Sequence, residues 1–255
     1  MNPLLKILAD NRGKGVFRAE KSAVANEATL YLYDAIVTDD YWGGVSATSF
    51  VKELAQIDAE VIHLRINSPG GEVFAAQAMA QAIREKAARV VAHVDGYAAS
   101  AASFLALAAD EVRISEGGFF MIHKAHTIAW GNADALKETA ALLDKVDGVL
   151  VAGYAKETGQ DAQQIADWMA AETWFSAEEA VANGFADSID TAAAKASANW
   201  NLSAWANAPK VDPVTPPEEN KDQPAPPPAA SHEAEDKEHT EHLRRRLAVM
   251  EKQAA

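Results

Sequence analysis

A serine at the junction of a predicted strand and a predicted helix is the first candidate for chemistry. Ser100 lies in the stretch DGYAASAAS, residues 95–103, which consists largely of small residues. Free N–H groups and the helix dipole at a helix N-terminus favour developing negative charge, which suits a nucleophilic serine. The same position also suits a serine that only caps the helix. Ser103, one turn further on, is expected to pack against its neighbours.

Paired glycines lie upstream of this serine, in the stretch NSPGGEV, residues 67–73. Glycines after a strand let the backbone turn with its amides exposed, and such amides can form an oxyanion hole or an anion-binding nest. The spacing is not that of a P-loop, because no Gly-Lys-Ser/Thr follows. A tight turn between a strand and a helix, without any chemistry, explains the glycines equally well.

A histidine that ends an apolar strand supplies the third candidate group. His123 directly follows the apolar run in MIHKAH, residues 121–126, and is better placed as a general base than His126. No carboxylate lies close to the pair in sequence, so we predict neither a metal site nor a cofactor. His63 and His93 lie inside predicted strands and are expected to be core or sheet-face residues.

Alternating strands and helices surround these candidates through the first 190 residues. This alternation predicts an α/β fold built from repeated βαβ units. Strands are predicted at 28–37, 61–67, 90–96, 111–115 and 119–123, and helices at 46–57, 75–87, 99–110 and 132–159.

Composition divides the chain into four parts. An N-terminal segment, 1–24, precedes the α/β domain at 25–190. An Ala/Pro-rich linker, 191–230, is predicted to be disordered, since eight of the ten prolines lie between positions 209 and 228. Residues 231–255 are rich in helix formers and predict a tail that is a solvated helix, or a docking, self-association or scaffold-like segment.

Bulk composition excludes several classes of function. A net charge of −14 argues against nucleic-acid binding, and the absence of cysteine rules out disulfides and cysteine-ligated zinc. The N-terminus lacks the apolar region of a signal peptide, and the longest near-apolar run, about residues 96–109, is too short to cross a bilayer. We therefore expect a soluble intracellular protein that binds neither nucleic acid nor membrane.

The order of NSPGG, GYAAS and MIH along one chain resembles ClpP, the proteolytic subunit of the Clp protease. The segment that begins TGQ, residues 158–190, is similar to the closing segment of that family. The resemblance covers about residues 25–190 and implies the ClpP/crotonase-like fold. It also implies homo-oligomeric rings, and the predicted helix at 132–159 matches the region of ring–ring contact. Residues 126–138 depart from the housekeeping pattern.

The resemblance implies a role for each candidate residue. Ser100 becomes the nucleophile and His123 the general base. The amides of Gly71 and Ala101 become the oxyanion hole, with Gly70 shaping the turn. Aligning the closing segment without gaps puts Glu172 at the third catalytic position. Asp167 and a site of Ser and His alone are the alternatives.

Within the family, VFAAQAM, ETWFSAEEA and the long tail most resemble the head maturation (prohead) proteases of tailed phages. That resemblance implies cleavage of scaffold, the capsid pro-segment, portal-associated head proteins and possibly the chain itself. The location would be the host cytoplasm, within proheads during capsid maturation. The main alternative is an ATP-dependent Clp proteolytic subunit that works with a separate unfoldase. Two further alternatives are a crotonase-like acyl-CoA enzyme and an inactive scaffold protein.

Overall fold

A twisted sheet with helices packed on one face forms the centre of the molecule. The computed structural model describes residues 3–11, 13–22, 26–191 and 200–209. The strands are β1 (Val16–Lys21), β2 (Glu27–Tyr33), β3 (Ile36–Val37), β4 (Val45–Ser46), β5 (Val61–Ser68), β6 (Arg89–Ala99), β7 (Glu111–Ser115), β8 (Phe119–Ile122), β9 (Thr173–Phe175) and β10 (Ser188–Asp190). The helices are α1 (Pro3–Asp10), α2 (Ala47–Gln56), α3 (Val73–Arg84), α4 (Ala101–Ala106), α5 (Ala133–Thr158), α6 (Ala162–Ala170) and α7 (Ala177–Ala182).

The chain divides into two units, Met1–Lys210 and Val211–Ala255. Everything reported below belongs to the first unit. The predicted terminal helix at 231–255 and most of the predicted linker lie outside the described residues, and so does 192–199.

Eight strands of the described residues form one sheet, in the order β1-β2-β5-β6-β7-β10, with β8 beside β6 and β9 beside β8. Neighbours from β2 to β10 along this order are parallel, whereas β1 pairs antiparallel with β2. A parallel sheet with helical connections is the α/β architecture that the alternating pattern predicts, so the fold class is confirmed. The N-terminal segment contributes β1 to this sheet, an element that the sequence pattern did not indicate.

Strand β6 changes its partner partway along its length. Val91–Val94 pair with β7, whereas Tyr97–Ala99 pair with β8. The change of partner splits the sheet at one end, and the chain emerges there directly into Ser100 and α4. The predicted helix at 99–110 is therefore shorter at both ends, because Ala99 still belongs to β6 and α4 ends at Ala106.

The predicted strand at 28–37 is interrupted at Asp34 and Ala35. The Ala35 amide donates to the Asp34 side chain at 2.7 Å, and the chain beyond it leaves the main sheet. The Ile36 amide then donates to the carbonyl of Gly70 at 2.8 Å, and β3 pairs with β4 in a separate two-stranded sheet. The segment at β3 is therefore hydrogen-bonded to the glycine-containing loop and helps to hold it in place.

Alternation along the strands separates the core face from a polar face. In β2 and β5 every second side chain is buried, and these apolar residues pack with α2, α3 and α4. The intervening residues of neighbouring strands form polar contacts on the other face, where Nδ1 of His63 lies 3.0 Å from Nε2 of His93. The expectation that these two histidines are sheet residues is confirmed. None of the helices among the described residues has both the length and the apolar character needed to cross a bilayer.

Candidate active site

Ser100 occupies a strained turn between β6 and α4. Its backbone has φ 54° and ψ −124°, a conformation that costs a non-glycine residue on the order of 1–3 kcal/mol. The Ser100 amide donates to the carbonyl of Met121 at 2.8 Å, which ties the turn to β8. The Ser100 side chain makes no capping hydrogen bond, so the interpretation of this serine as a simple helix cap is wrong. A sharp strand-to-helix turn that presents a serine hydroxyl is the geometry of a nucleophile elbow.

His123 is the hydrogen-bond partner of that serine. Oγ of Ser100 lies 2.7 Å from Nε2 of His123, at the normal length for a hydrogen bond to a ring nitrogen. Burial, together with the nearby His126, lowers the pKa of His123 to about 4. The imidazole is therefore neutral at pH 7 and able to accept the proton of the serine hydroxyl.

Ser103 has the structural role expected of it. It is fully buried, its hydroxyl donates to the carbonyl of Ser100, and its Oγ lies 2.8 Å from the hydroxyl of Tyr154 on α5. These bonds fix the first turn of α4 directly behind Ser100.

The glycine loop reaches the serine turn through close backbone contact. Gly70 has φ 85°, and a Cβ there would overlap the carbonyl of Ala99 and lie 2.9 Å from the Ala101 nitrogen. Gly71 has φ 147°, and a Cβ there would overlap the carbonyl of Ile36. Neither the Gly71 amide nor the Ala101 amide donates a hydrogen bond to another of the described residues. Two free amides thus lie in segments that touch beside Ser100, as an oxyanion hole requires.

Glu172 immediately precedes β9 and His123 immediately follows β8, but the Glu172 carboxylate is bound elsewhere. The antiparallel register pairs Ile122 with Thr173, so Glu172 and His123 are the next positions along the two chains. Its carboxylate accepts hydrogen bonds from the amides of Asn207 at 2.7 Å and Ala206 at 3.2 Å. It also accepts from Nε1 of Trp174 at 3.3 Å. Among the described residues Glu172 makes no hydrogen bond to His123.

Asp167, the alternative third residue, lies on the exposed side of α6. Its carboxylate accepts from Nε2 of Gln163 at 2.9 Å and does not contact His123 among the described residues. The structure therefore brings Ser100 and His123 together and leaves both candidate carboxylates off the imidazole.

Trp205 is a site residue that the sequence pattern did not indicate. Its ring centroid lies 4.8 Å from that of His123 and 5.7 Å from that of His126, and the side chain is 6% exposed. The two residues that follow it, Ala206 and Asn207, supply amides that bind Glu172. The sequence feature that could have indicated a buried segment here is the pair Trp200 and Trp205 in a stretch of otherwise small and polar residues. Tryptophan seldom remains fully exposed.

A cavity of about 320 Å³ opens over the serine and the histidine. Its walls are mainly apolar, and Trp205 forms one of them. The lining includes Phe74, Ile128, Leu142, Val146 and the loop at Gly71. Among the described residues, no cluster of three or more His, Asp or Glu side chains could hold a metal ion.

A hydroxyl bonded to a neutral imidazole, beside two free amides, is the arrangement of a serine hydrolase. The family model for Clp protease matches residues 18–193. The chain belongs to the Clp protease family and is a serine-type peptidase, which confirms the resemblance drawn from the ordered motifs.

Curated relatives support this assignment. The chain is 30% identical over 142 residues to the ATP-dependent Clp protease proteolytic subunit 2 of Pseudomonas aeruginosa, covering 53% of this chain and 69% of that one. It is 30% identical over 149 residues to the proteolytic subunit of Deinococcus radiodurans, covering 56% and 73%. It is also 30% identical over 167 residues to subunit 2 of Tropheryma whipplei, covering 65% and 92%. Trp205 lies outside the residues that the family model matches.

Proposed function

We propose that this protein is a serine endopeptidase in which Ser100 attacks a peptide carbonyl and His123 accepts its proton. The observation that carries the proposal is the 2.7 Å contact between Oγ and Nε2 at a strained turn. A serine hydroxyl is a weak nucleophile until a neighbouring base accepts its proton. The imidazolium then protonates the leaving amine as the C–N bond of the tetrahedral intermediate breaks, which gives the acyl-enzyme, and the neutral imidazole next activates water for its hydrolysis.

The amides of Gly71 and Ala101 would stabilise the negative charge that develops on the carbonyl oxygen. Their lack of other acceptors among the described residues supports this role. Removing one such donor typically costs on the order of 10²–10³ in rate. Glu172 is the proposed third residue, supported by its position beside His123 in the β8–β9 register.

The nucleophile is tested with a fluorophosphonate probe, which labels an activated serine. Ser100→Ala should abolish labelling of the folded protein, whereas the matched Ser188→Ala, at an exposed serine on β10, should leave labelling unchanged. Labelling that persists in Ser100→Ala would exclude this serine as the nucleophile.

For the substrate, we propose phage head proteins: scaffold, the capsid pro-segment, portal-associated proteins and possibly the chain itself. Support comes from the VFAAQAM and ETWFSAEEA segments and from the Pro-rich stretch beyond the family-matched residues. The protein would then act inside proheads in the host cytoplasm, as a homo-oligomeric ring. Co-expression with the neighbouring capsid gene product, comparing wild type with Ser100→Ala, should give Ser100-dependent capsid fragments.

The alternative is a Clp proteolytic subunit that receives chains from an unfoldase, and the names of the curated relatives favour it. The two functions differ in their need for energy. Capsid maturation needs neither ATP nor an added ATPase. Degradation of a folded substrate only when both are supplied would favour the Clp subunit.

A further inference from the structure

A short segment beyond the family-matched residues is packed against the active site. We call Trp200–Ala208 the strap. Its anchor is Trp200, whose Nε1 donates to the carbonyl of Asn67 at 3.0 Å. The Asn201 amide donates to the side chain of Asn11 at 2.6 Å. The buried strap residues share an apolar cluster with residues of α1, of the loop after β2, and of the strands β6 and β8 that lead to Ser100 and His123. Its members are Ile7, Ala35, Ala99, Met121, Trp200, Leu202 and Trp205.

Two parts of the strap act on the catalytic histidine and on its neighbouring carboxylate. The indole of Trp205 covers one side of the His123 ring. The next two amides along the strap bind the carboxylate of Glu172. Hydrogen bonds from backbone amides to an ionised carboxylate are among the stronger ones in proteins. The strap therefore occupies the acceptor atoms with which Glu172 would bind an imidazole N–H.

We propose that the strap is an autoinhibitory latch, which holds the Glu172 carboxylate away from His123 while docked and releases it to complete the catalytic triad when it detaches. The latch rests on the serine peptidase function proposed above. A docked strap leaves a Ser–His pair without an orienting carboxylate. Such a pair lacks the group that fixes the imidazole tautomer and stabilises the imidazolium formed during attack.

The latch has features of a contact that can open. Nε1 of Trp205 is buried and has no hydrogen-bond partner among the described residues. An unsatisfied buried donor is unfavourable, so docking leaves one unfavourable interaction that detachment relieves. Glu172 itself has φ 50°, a strained conformation for a residue with a side chain. The cleft over Ser100 stays open with the strap docked, so the latch acts on the catalytic groups rather than by blocking substrate.

The test uses variants that detach the strap and leave Ser100, His123 and Glu172 unchanged. Trp200→Ala removes the anchor, and a chain ending at Thr191 removes the strap altogether. We expect both to react with the fluorophosphonate at least tenfold faster than wild type at pH 7. Adding Glu172→Gln should cancel the gain, because the freed residue would then carry no charge. Asn201→Ala, which leaves both tryptophans in place, is the matched strap control and should give a smaller gain.

The pH profile separates a latch from a merely structural contact. Detaching the strap exposes His123 to solvent and places a carboxylate beside it, and both changes stabilise the imidazolium. The pKa governing the acid limb of the reaction should therefore rise from its wild-type value. The titratable groups around His123 are His126, Glu172, Glu72 in the cleft lining and Asp147, which accepts from the Ala125 amide.

Each outcome tests the latch separately from the peptidase function on which it rests. Ser100-dependent labelling that is unchanged or slower in folded strap variants overturns the latch and leaves the peptidase intact. Faster labelling that survives Glu172→Gln also overturns it, because the gain then does not come from the carboxylate. If neither wild type nor the strap variants label at Ser100 while melting cooperatively, the peptidase function fails and the latch falls with it.

Discussion

The proposed catalytic pair, Ser100 and His123, depends on backbone strain at Ser100 that residue type alone does not reveal. Ser100 adopts φ 54° because the chain must leave β6 and enter α4 within one residue. The absence of a side chain at Gly70 permits this turn, since a Cβ there would meet the Ala99 carbonyl and the Ala101 nitrogen. Motif order predicted that Ser100 is the nucleophile, and the fold brings its hydroxyl within hydrogen-bonding distance of His123.

Gly70 is expected to be essential because the loop touches the serine turn through bare backbone. Gly70→Ala would drive a methyl group into the Ala99 carbonyl and require a strained φ, displacing the loop from Ser100. We expect a loss of fluorophosphonate reactivity of about 10² or more, on the scale of a lost oxyanion donor. Gly117→Ala is the matched control, because a Cβ there meets nothing within 4 Å. Equal reactivity of the two variants would contradict close loop–serine contact.

The pH dependence of the wild-type site follows from the environment of His123. Burial holds its pKa at about 4, far below the ordinary value near 6.5, so the general base stays neutral down to mildly acidic pH. The acid limb of the labelling rate should then have an apparent pKa near 4. His126→Ala removes the second cause of the depression and should move that limb to higher pH, as measured by labelling rates between pH 3 and 8. His63→Ala, at the polar face of the sheet, should leave it where it is.

At the scale of elements, the β8–β9 register and the α4–α5 contact help to position the site. The antiparallel pairing of Ile122 with Thr173 puts His123 and Glu172 at adjoining ends of β8 and β9. Helix α4 is only six residues long and gains little stability from its own hydrogen bonds. A buried hydrogen bond between Ser103 and Tyr154 attaches it to α5, in addition to its packing against α3 and β6.

Ser103→Ala tests this attachment. The change leaves the buried hydroxyl of Tyr154 without its hydrogen-bond partner, which should cost about 1–3 kcal/mol of unfolding free energy. Urea denaturation measures the loss. Ser103→Ala with Tyr154→Phe removes both polar groups and should recover part of it. Because Ser103 is not catalytic, the folded single variant should still label at Ser100, and loss of labelling without loss of stability would contradict this role.

At the scale of the whole molecule, exposed apolar side chains on α5 support the proposed ring. Leu136, Leu142 and Val149 on α5 are 44%, 53% and 56% exposed, and the same helix matches the ring–ring contact region in the resembled family. Native mass spectrometry should show a homo-oligomer. Leu136→Glu together with Val149→Glu should reduce its size, because charges at a desolvated interface are costly. A monomeric wild type would contradict the ring.

Acid should destabilise the molecule through the polar face of its sheet. Burial lowers the pKa of His93 to about 4, against an ordinary value near 6.5. The unfolded chain therefore binds more protons than the folded one between these values, so stability falls as pH drops from about 6.5 to 4. The loss attributable to His93 should be about 2 kcal/mol after allowing for solvent screening. Thermal melts of wild type and His93→Gln across this range should show a weaker pH dependence in the variant.

Much of the fold was predictable because helices and strands are indicated by hydrophobic periodicity, which is a property of each short stretch of sequence. The helices predicted at 46–57 and 132–159 and the strand at 111–115 agree closely with α2, α5 and β7. The interruption at Asp34 was not predictable, since it arises from Ile36 bonding to Gly70, a loop far along the chain. Strand β1 was missed because its side chains are only partly buried, which leaves a weak pattern.

By itself, the sequence determined the α/β class, the ordered motifs and the choice of Ser100 and His123, because residue type and spacing carry that information. Only the tertiary structure decided where the Glu172 carboxylate points. Two of its hydrogen-bond donors, the amides of Ala206 and Asn207, lie 34 and 35 residues away, in a segment with no periodicity to place it. A carboxylate binds whichever N–H groups folding brings near, and those neighbours are a property of the packed chain rather than of any local stretch.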